Sequence, residues 1–211
     1  MLFNSLEFLL FFPTVCLCYY VIPHRIRYLF LLVCSYFFYM CWNPQYALLM
    51  LTSTAITYAS GLLLEKAKQS KEEKRRRRRM HWCVALSFIS NLAILFFFKY
   101  FDFAADTVVR LCALAQIEVQ RPAFDVVLPV GISFYTFQAL GYTVDVYRGE
   151  IYAEKNFLKY ALFVSFFPQL VAGPIERSKN LLIQINEKHR FEFARVRDGL
   201  LLMLYGYFQK V

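Results

Sequence analysis

The sequence predicts an all-α integral membrane protein, built as a multi-span helical bundle with one re-entrant segment. Of its 211 residues, 59% are hydrophobic and the mean hydropathy is +0.41, more apolar surface than one soluble core of this size buries. Several apolar runs approach the 20 or so residues that cross a hydrocarbon core about 30 Å thick. The net charge is +9, and the basic residues that produce it lie between these apolar runs. The expected partner is therefore the lipid bilayer and not nucleic acid.

Five full spans are predicted, at about residues 2–22, 28–42, 46–64, 82–101 and 128–146. The third contains Ser53, Thr57 and other small or hydroxylic residues, which favour close contacts between helices over exposure to lipid. The fifth is interrupted by proline, glycine and polar residues that would be costly against lipid. We therefore expect the fifth span to face a protein interior or an aqueous cavity.

The remaining segments are less regular. Residues 157–172 are too short for a comfortable crossing and have basic residues on both sides, so a re-entrant hairpin is predicted there. Residues 181–197 have the mixed composition of an amphipathic surface segment, and residues 200–211 begin a further span. The interpretation is that residues 1–211 are the N-terminal portion of one polytopic membrane domain that ends in mid-span.

Charge predicts how the protein is oriented in the cell membrane, where it would be a multi-pass protein. The loop at residues 65–80 contains the run Arg75 to Arg79, and short basic loops remain cytoplasmic. Counting back through three spans places the basic loop around His24 on the same side and the N-terminus outside. Residues 102–125 are net acidic and are predicted to be outside, with an interfacial helix around residues 107–115. The arginine run is interpreted as an orientation signal attracted to anionic headgroups, and a nucleic-acid or partner site is the alternative.

Motifs of soluble enzymes are missing from the sequence, which has no P-loop, no G-x-G-x-x-G, no G-x-S-x-G and no H-E-x-x-H. None of the six cysteines forms a C-x-x-C pair, so no metal site is predicted and the thiols are expected to be buried and unreactive.

Two passages are more specific. Residues 128–137 read LPVGISFYTF and lead into YTVDVYRG at 142–149, and residues 165–177 read SFFPQLVAGPIER. Together with MLFNSLEF at the start and FFKY at 97–100, they resemble the membrane-bound O-acyltransferase family, in particular its branch of alginate O-acetyltransferase membrane subunits. The resemblance spans nearly the whole chain in the order that the family shows.

The resemblance implies an O-acyltransferase that takes an acetyl group from a cytoplasmic donor, acetyl-CoA, with no bound cofactor. The group would pass through a membrane-embedded tunnel to an extracytoplasmic polysaccharide, with an esterase-like partner protein completing the transfer, as in alginate biosynthesis. The positions that match the family, and are therefore candidates for the tunnel or the donor side, are Pro129, Gly131, Ser133, Phe134, Tyr135, Phe137, Asp145, Tyr147, Arg148, Pro168, Gly173, Pro174 and Arg177.

These residue types suggest physical roles. Gly131 and Gly173 allow close approach of the backbone, and prolines such as Pro174 set breaks between helices. Arg148 or Arg177 could hold a phosphate or the pantetheine phosphate at the cytoplasmic mouth. The alternative is that the prolines and glycines shape a funnel wall and that both arginines are interface anchors.

The chain departs from the family in one important respect. The family's essential histidine, commonly preceded by tryptophan, falls in a part that this chain lacks, and His24, His81 and His189 do not fit the role. No catalytic residue is therefore assigned, and the chain alone is expected to be inactive. The alternatives are D-alanyl transfer to teichoic acid, a transporter-like membrane fragment, or a non-catalytic one.

Overall fold

The computed structural model describes residue 3 and residues 5–114, 128–170 and 173–210. Within these ranges helices are the only regular secondary structure and no strand occurs, which confirms the all-α prediction. The helices are α1 (Leu6–Val21), α2 (His24–Met40), α3 (Pro44–Lys68), α4 (Glu73–Leu114), α5 (Ile132–Arg148), α6 (Phe157–Ser165), α7 (Phe167–Leu170), α8 (Ser178–Asn186) and α9 (Phe193–Lys210).

The helix starts follow ordinary capping chemistry. The Ser5 hydroxyl accepts from the Phe8 amide at 3.2 Å at the start of α1, and the Asn43 side chain accepts from the Gln45 amide at 3.0 Å before α3. Asn156 does the same for two amides of α6. Such side chains satisfy amides that have no partner within the first turn of a helix, so short polar residues fix where these three helices begin.

Helix α4 differs from the sequence prediction. It has 42 residues and includes the whole arginine run, so the predicted loop at 65–80 is reduced to a turn at 69–72. Residues 107–114 of the predicted interfacial helix form the end of α4 and not a separate element, and residue 115 lies outside the described residues. Residues 73–114 contain no glycine or proline, arginine and lysine favour helices, and Glu73 pairs with Arg77 one turn on at 2.9 Å. The rest of the acidic segment, with Glu118, Arg121 and Asp125, lies outside the described residues.

The predicted re-entrant segment at 157–172 forms two short helices, α6 and α7, separated by a break at Phe166. Tyr160, Phe163 and Val164 are completely buried, so α6 belongs to the core of the molecule. Residues 171–172 lie outside the described part, and a turn within the bilayer stays a prediction. The amphipathic segment predicted at 181–197 is divided between α8 and the beginning of α9, which starts seven residues before the predicted span at 200.

Helix α3 lies at the centre of the bundle, where it packs against α4 and α5, while α6 packs mainly against α2. Tyr142, Tyr160 and Phe163 join these helices in one core cluster. The outer faces are unusually apolar, since Leu10 on α1 is 74% exposed and Ile89 on α4 is 64% exposed. Surfaces of this kind suit contact with lipid.

Among the described helices, two are long and apolar enough to cross a membrane, within Pro44–Lys68 and Glu73–Phe101. Leu6–Val21 is apolar but shorter. The other predicted spans coincide with α2 and α5, both of 17 residues, and their crossing of the bilayer stays a prediction.

The basic segments meet at one end of the bundle. Arg27, in the first turn of α2, donates to the His189 carbonyl at 2.8 Å, and Lys159 of α6 donates to Asn186 of α8. Lys68, at the end of α3, donates to the carbonyl of Val146 near the end of α5 at 2.6 Å. We call this region the basic end. It contains the N-terminal ends of α2, α4 and α6 and the C-terminal ends of α1, α3 and α5.

Candidate functional site

The first motif begins with a tight turn at Gly131. This residue has a φ of +75°, in the left-handed region, and a Cβ at this position would lie 2.5 Å from the Leu170 carbonyl oxygen. Only glycine fits both conditions. Pro129 is buried in the same turn, and its carbonyl accepts from the Ile132 amide at 3.3 Å. The turn therefore places the first motif directly against Leu170, in the middle of the second.

The second motif contains the break between α6 and α7. Phe166 has a ψ of 109° and Pro168 has no amide hydrogen, so the helical hydrogen-bond pattern stops here. The Phe163 carbonyl instead accepts from the Gln138 amide group at 2.7 Å and from that of Gln169 at 3.2 Å. The Phe167 amide donates to the Ser35 hydroxyl of α2 at 3.3 Å. Side chains from α2 and α5 thus satisfy the backbone that the break leaves free.

Gly173 shows a second close approach. A Cβ here would lie 2.4 Å from the Cα of Gln169, and the Gly173 amide donates to the Gln169 carbonyl at 3.1 Å. The expectation that Gly131 and Gly173 permit close backbone contact is confirmed. Pro168 and Pro174 are both exposed beside these contacts.

The polar residues of α5 face the interior as predicted. Thr136, Gln138 and Thr143 are all buried. Thr143 lies 3.4 Å from the Ser87 hydroxyl of α4, and Asn91 of α4 accepts from the Ser53 hydroxyl of α3 at 2.5 Å. We call this set the polar ladder. Sequence analysis identified Ser53 and Thr143 but missed Ser87 and Asn91, whose spacing of one helical turn was the available signal.

Three tyrosines form a buried cluster between α2 and α5. The hydroxyls of Tyr36, Tyr39 and Tyr135 are buried. Those of Tyr39 and Tyr135 interact with each other, and that of Tyr36 has no hydrogen-bond partner among the described residues. Buried hydroxyls are normally satisfied, so the Tyr36 hydroxyl is well placed to meet another molecule or a further polar group. Only Tyr135 was a sequence candidate. Sequence analysis did not identify Tyr36 and Tyr39, although their spacing of one turn places them on the same side of α2.

Other candidates of the first motif lie at its edges. Ser133 accepts from Lys99 of α4 at 3.3 Å, so it faces a neighbouring helix. Phe134 is 37% exposed and Phe137 is 49% exposed, which places both on the outer surface and away from the tyrosine cluster. These two aromatic residues therefore do not line the interior.

The remaining candidates lie at the basic end. Asp145 accepts a hydrogen bond from Ser178 at the start of α8, and Tyr147 makes an edge-to-face contact with His81. Arg148 lies 4.0 Å from Glu150, which also pairs with Lys179 at 3.7 Å. Arg177 directly precedes α8 and is exposed. The structure thus brings Arg148 close to the first turn of α8, and an anion there would meet cations from two elements.

The cysteine prediction needs correction. Cys34 is buried, Cys41 is exposed and the other four are partly exposed. Cys41 lies just beyond the end of α2, where its side chain leaves the bundle. All six are free thiols.

These features define the class of protein: an all-helical protein with helices suited to a membrane, whose polar interior is built around a broken helix. Sequence comparison shows which proteins the chain is similar to. The chain is homologous over its whole length to proteins named probable alginate O-acetylase AlgI, which confirms the resemblance to the alginate branch of the membrane-bound O-acyltransferases.

The relative from Pseudomonas aeruginosa is 35% identical over 214 residues, covering 100% of this chain and 39% of the relative. The protein of the same name from Pseudomonas putida is 36% identical and is covered to 42%. A peptidoglycan O-acetyltransferase of Helicobacter pylori is 30% identical and is covered to 44%. The chain therefore spans about two fifths of the length of these relatives. No family model and no solved structure matches it.

Proposed function

We propose that this chain is part of a membrane-bound O-acyltransferase that carries acetyl groups from a cytoplasmic donor to an extracytoplasmic polysaccharide. The observation that carries the proposal is the similarity over the whole chain to relatives whose names specify O-acetylation of alginate or of peptidoglycan. Both names specify an acetyl group, which favours acetyl transfer over D-alanyl transfer. The acceptor is accordingly a polysaccharide, and an esterase-like protein outside the membrane completes the transfer.

The donor is acetyl-CoA, which binds at the basic end. Its phosphates need cations that are free to reorient, and Arg148 and Arg177 are both exposed next to α8. Glu150 holds Arg148 only weakly, because their charged groups are 4.0 Å apart and largely in solvent. An incoming phosphate would therefore compete well with Glu150 for this guanidinium group. The basic end accordingly faces the cytoplasm, and the N-terminus lies outside.

The acetyl group then crosses through the polar interior. The tyrosine cluster provides buried hydroxyl groups, of which that of Tyr36 has no partner among the described residues, and the side-chain amides of Gln138 and Gln169 lie at the α6–α7 break. No general base is assigned to this chain, since His24, His81 and His189 belong to the basic end, remote from the tyrosine cluster. The role of these residues is to bind and conduct the donor.

The experiment is a deletion of the gene in its own organism. We expect the deletion to remove alkali-labile acetate from the exopolysaccharide or from peptidoglycan, and reintroduction of the gene to restore it. Ester-linked D-alanine, measured on the same cells, should not change. Loss of D-alanine with retention of acetate would overturn the proposal, and so would retention of both.

A second arm tests the donor site. The double variant Arg148→Gln/Arg177→Gln should restore less than half of the ester-linked acetate at equal protein level, because the cations that hold the donor phosphates are gone. The control is Arg195→Gln, whose arginine is exposed and pairs with Glu192 within the same segment at 3.4 Å. Full restoration by the double variant would show that both arginines are interface anchors.

A further inference from the structure

A groove runs between the end of α3 and the beginning of α4. It has a volume of about 640 Å³, and its cationic part is formed by Lys66 of α3 with Arg75, Arg78 and Arg79 of α4. The groove lies on the two described helices that are long and apolar enough to cross a membrane. It is separate from Arg148 and Arg177, neither of which lines it.

The groove changes from cationic to apolar along one helical face. Positions 75, 78, 79, 82 and 86 follow the spacing of three to four residues that places side chains on the same side of a helix. Trp82, 58% exposed, follows the arginines, and Leu86 with Leu63 of α3 continues the groove away from them. Tryptophan is the residue that prefers the membrane interface. The arginines, Trp82 and Leu86 therefore follow one another in the same order as the headgroups, the interface and the hydrocarbon of a lipid layer.

Among the described residues, the cations of the groove have no acidic partner. No carboxylate is among the residues that line it. Glu73, the acidic residue of the first turn of α4, pairs with Arg77, which is outside the groove. Within the described parts of the chain, no ion pair involves Lys66, Arg75, Arg78 or Arg79. The groove accordingly has several positive charges and no carboxylate among the residues that line it.

We propose that this groove binds one anionic phospholipid. The phosphate is held by Arg78, Arg79 and Lys66, since guanidinium groups can each give two parallel hydrogen bonds to phosphate oxygens. An acyl chain lies along Trp82 and Leu86. A soluble anion would leave this exposed apolar half of the groove uncovered, which is why a lipid is the occupant that the structure favours. The site does not depend on the acyl-transfer activity.

The fluorescence of Trp82 offers a direct test, because the chain has only one other tryptophan, Trp42. Trp42 lies beyond the end of α2, remote from the groove. The full chain with Trp42→Phe is reconstituted in nanodiscs of phosphatidylcholine and phosphatidylglycerol at a fixed ratio. Either one lipid or the other is brominated near the glycerol end of its acyl chains. We expect brominated phosphatidylglycerol to quench Trp82 several-fold more strongly than equal brominated phosphatidylcholine.

A matched pair of variants distinguishes a specific lipid site from general electrostatic attraction between basic residues and anionic lipids. Arg78→Gln/Arg79→Gln removes two charges inside the groove, and Arg76→Gln/Arg77→Gln removes two from the same helix outside it. Each basic residue near an anionic membrane surface changes lipid binding roughly fivefold. We expect the first pair to abolish the preference for phosphatidylglycerol and the second pair to retain most of it.

Three results would overturn the proposal. Equal quenching by the two brominated lipids would show that the headgroup is not selected. Equal loss of preference in both variant pairs would reduce the effect to diffuse surface charge. Relief of quenching by a soluble competitor, either glycerol phosphate or a short oligonucleotide, would identify a site for soluble anions. None of these readouts involves acetyl transfer, so failure here leaves the proposed function untouched.

Discussion

At the scale of the single residue, Gly131 and Gly141 show why position decides what a glycine does. Gly131 has a left-handed backbone and almost no room for a Cβ, whereas a Cβ at Gly141 would meet nothing within 4 Å. Gly131→Ala should lower the free energy of unfolding by about 2 kcal/mol or more, from backbone strain and the clash with Leu170. Gly141→Ala should raise it by roughly 0.5 to 1 kcal/mol, since alanine favours the helix.

Thermal unfolding of the two variants in the same detergent measures the difference. The midpoint should fall for Gly131→Ala and remain or rise for Gly141→Ala. Equal midpoints for the two variants would contradict the geometry of the turn.

His24, at the start of α2, makes stability depend on pH. Its Nδ1 is enclosed and has no hydrogen-bond partner among the described residues. Desolvation lowers the pKa of His24 below its usual value of 6.5, and nearby Lys188, Arg27, Lys159 and His189 lower it further. The folded protein thus takes up this proton less readily than the unfolded chain. The contribution of neutral His24 to the stability of the fold is complete above pH 6.5 and is lost as the pH falls through the lowered pKa.

We therefore expect His24→Gln to flatten the loss of stability as the pH falls below about 6.5. Unfolding midpoints measured at several pH values give the slope. A parent protein equally stable across this range would contradict the prediction.

At the scale of the element, the α6–α7 break depends on two side chains that share one acceptor. Gln138→Leu or Gln169→Leu alone leaves the Phe163 carbonyl with one donor, and each should cost about 1 kcal/mol. The double variant leaves a buried carbonyl without these donors and should cost about 3 kcal/mol. A double-mutant cycle from denaturant unfolding measures this coupling. Simple additivity would mean that another group satisfies the carbonyl.

Helix positions were more predictable than helix ends. Apolar runs located α1, α2, α3 and α5 because hydrophobic length is written directly in the sequence. The same approach placed the start of α4 nine residues late, since a charged stretch was assigned to a loop. Charge tells where a segment meets water but not whether it is helical, and arginine and lysine are good helix formers.

The candidate site was predictable only in part. Gly131 and Gly173 were found because both lie in the two passages that resemble the O-acyltransferase family, and glycine permits close approach of the backbone. Tyr36, Tyr39, Ser87 and Asn91 were not found, because their importance comes from meeting residues far away in the chain. A polar residue in an apolar helix signals a contact but does not name its partner.

At the scale of the whole molecule, the chain has two chemically different ends. Cys41 precedes α3 and Gln69 follows it, so the two positions are separated by a helix of 25 residues, or about 37 Å. A variant with Cys41 as its only cysteine should react with a membrane-impermeant maleimide on intact cells. Gln69→Cys in a cysteine-free background should react only after the cells are permeabilised.

Both positions are exposed, so access to solvent from their own side of the membrane is not the limiting factor. The reverse labelling pattern would place the basic end outside and invert the proposed donor side. Labelling of both positions on intact cells would contradict a crossing by α3.

The unbroken course of α4 has a mechanical consequence. A helix of 42 residues is about 63 Å long, twice the thickness of a hydrocarbon layer, so this single rod is long enough to extend beyond such a layer. One residue added near Met80 would turn everything before it by about 100° about the axis and swing the arginines away from α3, with the apolar part unmoved. The number of residues between the arginines and the apolar part of α4 therefore fixes both their distance along the helix and their relative rotation about its axis.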